Sequence, residues 1–164
     1  AIAGGFRGTI DLGGGPLLNA DATNATRDIF VVKLSAGGSH LWSKRFGDAA
    51  DQIARGVAMD GAGHVVITGS YKGAPAFGAT PLPDAGAAAF NVFVAKLQSS
   101  GGTVLWSRGA GDASDQHGFA VVAPGPIDAP IVVGGAKGTT DWGAPIGAIP
   151  SAGGYDPITV QLRP

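Results

Sequence analysis

A ten-residue segment bounded by glycines occurs three times in this chain of 164 residues. The copies occupy 4–13, 69–78 and 134–143, so they are separated by a constant interval of 65 residues. A fixed period of this length is typical of stacked supersecondary units rather than of one irregular globule. Arrays of this kind use the repeated framework to present loops, so the repeat constrains the architecture more than the ligand.

Further matched segments lie between the copies and predict four strands in each full period. They are 30–34 with 93–97 and 158–162, 41–43 with 105–107, 47–52 with 111–116, and 56–58 with 118–120. Most are short, rich in β-branched or aromatic residues, and bounded by Gly, Asp or Pro, as strands are. No window keeps an apolar period of 3.6 residues, so we expect almost no helix.

Four short strands in each repeated unit predict an all-β fold of β-propeller blades. The side-chain pattern predicts the order from axis to rim: small apolar inner strands at 53–60 and 117–122, strands apolar on both faces at 29–34 and 92–97, and outer strands at 40–46 and 103–109. The second strand of the complete unit, 64–72, is expected to form an antiparallel hairpin with 53–60.

These residues also carry a family resemblance. The string GVAMDGAGHVVITGS at 56–70, followed by FVAKL at 93–97 and LWS at 105–107, resembles the bacterial β-propeller repeat of the SBBP type. Such repeats occur in large secreted or surface proteins of bacteria such as myxobacteria, so the resemblance implies an extracellular or cell-surface propeller without a settled activity. The period exceeds the roughly 40–50 residues of an ordinary four-stranded blade. The excess lies in 9–27, 74–91 and 139–156, which we expect to be long loops.

The chain is predicted to be a single propeller segment with units at about 1–52, 53–116 and 117–164. It opens in a second strand and closes in a third, which gives ten strands, about 2.5 blades and an incomplete ring. We expect it to be excised from a longer propeller or completed by other chains. Open edges and apolar side chains such as Phe30 and Ile158 predict that it is not a stable monomer.

Composition excludes several functional classes. The net charge is −1 and no basic cluster exceeds the pair Lys44-Arg45, so nucleic acid is not an expected partner. No apolar run reaches the roughly 18 residues that span a bilayer, so membrane insertion is not expected. The chain has no cysteine, and its three histidines, His40, His64 and His117, lack metal-ligand spacing. With neither a nucleophile elbow nor a P-loop in the sequence, we expect no enzyme activity, no cofactor and no metal site.

One polar motif recurs in two units. It comprises Asp48, Asp51 and Gln52 in the first and Asp112, Asp115 and Gln116 in the second. These side chains could form a ring of carboxylates that binds cations or sugar hydroxyls. Alternatively, they accept backbone N–H bonds and shape the turn between units. The recurrence favours the turn interpretation.

Aromatic residues in the long loops are the other candidates. In an up-and-down blade these loops share an end with the Asp-Gln turns, and long loops on a rigid scaffold are common binding sites. The residues are Phe77, Phe90, Trp142 and Tyr155. They could stack on a sugar, but wedging between blades is favoured. Trp42 and Trp106 recur with the period, which predicts packing against the adjacent blade.

Two functions follow as hypotheses. The leading one is a non-enzymatic extracellular structural or interaction module, whose partners are other copies of itself or the remainder of a longer propeller. The alternative is a carbohydrate-binding, lectin-like module that binds glycans at the long-loop face.

Overall fold

A computed structural model describes residues 1–84, 88–125 and 129–163 and shows an all-β protein. These residues contain sixteen strands and no helix, and therefore no helix that could cross a membrane. In chain order the strands are β1 (Ile2–Phe6), β2 (Thr9–Asp11), β3 (Pro16–Leu18), β4 (Asp28–Leu34), β5 (His40–Phe46), β6 (Gln52–Met59), β7 (Val65–Tyr71), β8 (Ala76–Phe77), β9 (Thr80–Pro81), β10 (Asn91–Leu97), β11 (Val104–Ala110), β12 (Gln116–Val122), β13 (Ile131–Ala136), β14 (Thr139–Asp141), β15 (Ala148–Pro150) and β16 (Asp156–Gln161).

Ten of these strands form three antiparallel sheets. The first sheet has the order β1-β4-β5, the second β6-β7-β10-β11, and the third β12-β13-β16. The predicted hairpin is confirmed, since β6 pairs with β7 from Gln52 opposite Tyr71 to Met59 opposite Val65. The all-β class is therefore confirmed. No sheet closes on itself in the described part of the chain, and the blade arrangement stays a prediction.

The three long loops are more regular than the sequence predicts. Each contains a two-stranded hairpin, formed by β2 with β3, β8 with β9, and β14 with β15. Phe77 on β8 shows what anchors the second of these hairpins. It is 2% exposed and lies between Phe46 of the first sheet and Phe93 of the second, with ring centroids 4.8 and 5.1 Å away. The hairpin thus inserts an aromatic ring between two sheets.

The middle sheet is buried on both faces, which accounts for the uninterrupted apolar character of 92–97. On β10, Phe93 and Ala95 belong to a first core shared with the first sheet, whereas Val92 and Val94 belong to a second core shared with the third sheet. Every residue of β10 is buried. Because successive side chains of a strand point to opposite faces of the sheet, β10 contributes residues to both cores.

Both recurrent tryptophans pack between sheets, as predicted. Trp42 belongs to the first core, and its indole N–H donates to the carbonyl of Ser99 at 3.0 Å. Its ring lies so close to Gly102 that a Cβ there would be 2.7 Å from the ring. Trp106 packs against the second core.

The outer faces of the first and third sheets have no neighbouring sheet in the described chain. Phe30 is half-buried on the first. Ile158, expected to be exposed, is buried in the second core because its side chain faces the middle sheet. The exposed apolar residues of the third sheet are instead Phe119, Val122 and Val133.

Candidate functional site

The Asp-Gln turn of the first unit is a closed network of hydrogen bonds. The carboxylate of Asp48 accepts from the N–H of Ala50 at 2.8 Å, from Gln52 Nε2 at 2.5 Å and from the N–H of Ala74 at 2.9 Å. Gln52 is fully buried and also donates to the carbonyl of Lys72 at 2.9 Å. These bonds fasten the turn between the first two sheets to the start of the next hairpin.

The second unit repeats this network. Asp112 accepts from Ser114 at 2.8 Å, from Gln116 at 2.8 Å and from the N–H of Thr139 at 2.6 Å. Gln116 donates to the carbonyl of Lys137 at 2.6 Å. Burial by itself would raise the pKa of Asp112, but the N–H donors outweigh it and hold the pKa below its ordinary value.

Asp51 and Asp115 each bond to an earlier residue that immediately precedes a strand. The partner of Asp51 is Arg27, before β4, and that of Asp115 is Phe90, before β10. Asp51 accepts from the backbone N–H of Arg27 at 2.9 Å and binds its guanidinium through two bonds of 2.9 and 2.6 Å. Asp115 accepts from the N–H of Phe90 at 2.9 Å. The Arg27 guanidinium lowers the pKa of Asp51, and the Phe90 N–H lowers the pKa of Asp115.

The oxygens of these carboxylates thus face N–H donors, which is the bonding that the turn interpretation requires. In the described ranges, no three Asp or His side chains converge as metal ligands do.

The aromatic candidates divide into two groups. Phe77 and Trp142 are buried, at 2% and 4% exposure, in the first and second cores. Both also border a cavity of about 630 Å³ that opens beside Trp106 and Arg108 on the outer strand β11. Phe90 is instead half-buried and Tyr155 exposed, and both rings lie close to His117.

Phe90, His117, Phe119 and Tyr155 form what we call the aromatic cluster. The His117 ring centroid is 5.5 Å from that of Phe90, 6.1 Å from Phe119 and 5.9 Å from Tyr155. The His117 ring lies within 24° of parallel to Phe119 and within 21° of parallel to Tyr155. The Lys72 ammonium lies 4.6 Å from the Phe90 centroid.

The polar atoms of the cluster are held by local hydrogen bonds. His117 Nδ1 lies 2.7 Å from Ser70 Oγ, and its Nε2 lies 3.4 Å from the Tyr155 hydroxyl. Burial and the positive charge of Arg55 lower the pKa of His117 against the opposing charge of Asp115. Burial and the Asp115 carboxylate raise the pKa of Tyr155. At neutral pH the rings of the cluster are therefore uncharged, and the Asp115 carboxylate and the Lys72 ammonium lie beside them.

Sequence reasoning missed His117 and Phe119 as members of this cluster. By its position, His117 is predicted to be a polar residue at a strand end, and Phe119 part of a small apolar inner strand. The available signal is substitution between units. The strand registers, which pair Ala54 with Gly69 and Gly118 with Gly134, put His117 and Phe119 at the positions of Ile53 and Arg55. The sequence match of 56–58 with 118–120, which puts Phe119 at the position of Val57, is therefore wrong by two residues.

Neither a protein-family model nor a curated protein sequence matches the chain. The resemblance to SBBP-type repeats therefore stays a prediction from the quoted residues.

Proposed function

We propose that this protein is a non-enzymatic, extracellular interaction module built of propeller-type repeats. It assembles sheet on sheet with copies of itself or with the remainder of a longer propeller. The supporting observation is that equivalent faces of the three sheets are not all covered by a neighbouring sheet. The middle sheet is covered on both sides, whereas the first and third sheets each have one face without a neighbour in the described chain.

One contact recurs at both sheet-to-sheet interfaces and is left open at the third sheet. A Cβ built at Gly5 would lie 3.1 Å from Ile53 of the following sheet. Ser70, the counterpart of Gly5, bonds His117 of the following sheet. Gly135 is the next counterpart, and the rings near it belong to Phe119 and Tyr155 of its own sheet. At the third sheet these two exposed rings, rather than the inner strand of a following sheet, are the nearest neighbours of this position.

The open faces also carry apolar residues whose counterparts are buried. Val133 is 41% exposed, whereas Thr68 at the same place in the middle sheet is fully buried. On the first sheet, Phe30 is half-buried, and its counterpart Phe93 is fully buried. Covering such surface is favourable by about 25 cal/mol for each Å² of apolar area.

The two open faces are different surfaces. Joining the third sheet of one copy to the first sheet of another is therefore a head-to-tail contact. Contacts of this kind close into rings or continue as filaments, depending on the rotation between copies.

The test is the molar mass in solution by light scattering at low micromolar concentration. We expect the protein to exceed the 16.1 kDa of one chain, and Val133→Lys to return it to that mass. Leu105→Lys is the matched control, since Leu105 is 46% exposed but lies on the middle sheet. A wild-type protein that stays at 16.1 kDa, or equal effects of the two variants, would refute assembly through these faces.

The aromatic cluster favours carbohydrate binding as a second candidate function. Tyr155 and Phe119 are 54% and 50% exposed, and aromatic faces of this kind pack against the apolar face of a pyranose. The Asp115 carboxylate and the His117 imidazole could bond sugar hydroxyls beside them. Unlike the assembly proposal, this candidate needs Phe119 and Tyr155 to be free of a neighbouring sheet.

Thermal unfolding in the presence of cellohexaose and chitohexaose tests this candidate. Binding should raise the melting temperature of the wild type but not that of Tyr155→Ala. Leu18→Ala, at an exposed position on the hairpin of the first sheet, should keep the effect. An unchanged wild-type melting temperature with both sugars would count against a glycan site at the cluster.

A further inference from the structure

We propose that a pocket between the second sheet and the hairpin of β14 and β15 binds a flat aromatic ring that carries a cationic group. The pocket has a volume of about 400 Å³. It lies where the ends of β7 and β11 meet that hairpin, and its lining includes Tyr71, Pro83, Gly109, Ala110, Asp141 and Trp142. The proposal goes beyond the interaction module and does not depend on assembly.

At the first sheet-to-sheet interface, large side chains fill the equivalent place. Phe46 at the end of β5 stacks on Phe77 of the following hairpin, with ring centroids 4.8 Å apart and 15° between the ring planes. The neighbouring Arg45 extends to the buried Asp28, with Nη1 2.7 Å from Oδ2. A ring and a guanidinium thus close this place between the first two sheets.

The second unit has small residues at both positions. The strand registers put Gly109 and Ala110 of β11 at the positions of Arg45 and Phe46. The aromatic residue of the following hairpin is Trp142, which therefore has a methyl group beside it instead of a second ring. The strand end and the following hairpin are present at both interfaces, so the pocket arises from the exchange of side chains.

Tyr71 limits the pocket on the side of Gly109. Its hydroxyl donates to the carbonyl of Pro83 at 2.6 Å, and a Cβ built at Gly109 would contact that hydroxyl. The counterpart of Tyr71 in the first unit is Phe6, which has no hydroxyl. Because the hydroxyl takes up the space at Gly109, the volume left for a ligand is the one beside Ala110.

The ring of the ligand follows from the ring pair at the first interface. Aromatic rings in offset-stacked arrangements attract each other beyond the effect of the area that they bury. Trp142 is 4% exposed, so the second core holds its indole in place before a ligand binds. A ligand ring on Trp142 would lie where Phe46 lies against its own hairpin ring.

The charge of the ligand follows from the acidic residues. Among the described residues that line the pocket, only Asp141 is charged. Asp141 is exposed, and its carboxylate accepts from the N–H of Gly143 at 2.8 Å, which leaves further lone pairs for a ligand. Burial and the negative charge of Asp84 raise the pKa of Tyr71 to about 12, so a second carboxylate acts on the same region. Two carboxylates attract a cation and repel an anion.

Isothermal titration of the wild type at neutral pH tests the ligand class with three probes. Benzamidine joins an aromatic ring to a cation, benzoate joins the same ring to an anion, and acetamidine has the cation without the ring. We expect one benzamidine to bind per chain, and the other two probes to bind at least tenfold more weakly. Equal binding of the three probes, or no binding of benzamidine, would overturn the proposal.

Two variants, each with a control, test the position of the site. Ala110→Phe introduces the ring that the first unit has and should weaken benzamidine binding by tenfold or more, whereas Ala62→Phe, in an exposed turn, should leave it unchanged. Asp141→Asn should weaken binding by threefold or more. Asp11→Asn is the matched control, because Asp11 has the same place in the first hairpin and is bonded in the same way.

Nuclear magnetic resonance of the wild type locates bound benzamidine even if Ala110→Phe fails to fold. The amide signals of 109–111 and 141–143 should shift in proportion to occupancy. Shifts confined to other segments would refute the site, and so would unchanged benzamidine binding in either variant once it is shown to be folded.

Discussion

Gln52 and Gln116 show how much of this structure depends on single polar side chains. Each is fully buried and donates through its amide both to an Asp carboxylate and to a backbone carbonyl. Each amide oxygen accepts the N–H of the same Asp residue, Asp48 or Asp112. A buried amide that meets all these groups rigidifies a turn, whereas a partly satisfied one is costly.

Replacing Gln52 by Met keeps the length of the side chain but leaves the Lys72 carbonyl and the Asp48 N–H without partners. We expect a loss of about 1–3 kcal/mol in the free energy of unfolding, the usual cost of unsatisfied buried groups. Urea unfolding followed by circular dichroism measures it. Gln161→Met, at an exposed position, is the control. Equal stability of the two variants would show that the Asp-Gln bonds contribute little.

The ion pair between Arg27 and Asp51 predicts a pH dependence. Because Arg27 lowers the pKa of Asp51 in the folded state, the carboxylate stabilises the fold above its unfolded pKa of about 3.9. That contribution disappears as the pH falls through the lower, folded pKa. Asp51→Asn should therefore be less stable than the wild type at pH 7, and the difference should shrink toward pH 2.

Denaturant unfolding at several pH values tests this, and Asp11→Asn controls for the altered net charge. A difference between wild type and Asp51→Asn that stays constant from pH 7 to pH 2 would contradict the role given to the ion pair.

At the scale of the element, the inner hairpins depend on a close approach of two backbones. β6 has an irregularity between Ala54 and Gly56, and β12 has one between Gly118 and Ala120. Opposite each irregularity stands a glycine, Gly69 or Gly134, whose Cα faces the partner strand's backbone. A bulge increases the local twist, and a glycine makes room for it.

Gly69→Ala should therefore destabilise the protein by about 1–3 kcal/mol, as overpacking does. The new Cβ would lie 2.9 Å from Ala54 Cα and closer still to the carbonyl oxygen of Ile53, neither of which can rotate away. Gly61→Ala, in the turn between the same two strands and with no atom within 4 Å, should cost less than about 0.5 kcal/mol. Thermal unfolding of the two variants measures this difference. Comparable losses of stability in Gly69→Ala and Gly61→Ala would disprove the steric argument.

The elements also show which features a sequence of this kind reveals. The strands of the three sheets follow a pattern that recurs in each unit, so their existence, pairing partners and order could be predicted. The hairpins could not, because β8 and β9 have only two residues each and are stabilised by the distant rings of Phe46 and Phe93. Two members of the aromatic cluster, His117 and Phe119, could not be assigned to it from the sequence for a related reason. His117 and Phe90 are 27 positions apart, and their proximity depends on the placement of the third sheet.

For the whole molecule, the decisive feature is that one sheet contributes to both cores. Adjacent residues of β10, such as Phe93 and Val94, face opposite cores. Loss of packing on one side should therefore weaken the other through the shared strands. We expect the three sheets to unfold as one cooperative unit.

Ile29→Ala tests this coupling, because Ile29 belongs to the first core and is fully buried. The cost should be about 2–5 kcal/mol, and hydrogen exchange of β13 in the third sheet should accelerate together with that of β4. Val122→Ala, at an exposed position in the third sheet, is the control. Faster exchange confined to the first sheet would show that the sheets unfold independently.

The chain of cores has a consequence for how such a protein can change over evolutionary time. The cores join the first sheet to the second and the second to the third. Each interface thus involves neighbouring units only, as in other repeat arrays. A duplicated period would include its own turn, its own hairpin and the residues it contributes to the cores. Duplication or deletion of one period would leave the remaining interfaces intact. A change in copy number would therefore alter the length of the array but not the contacts between the units that remain.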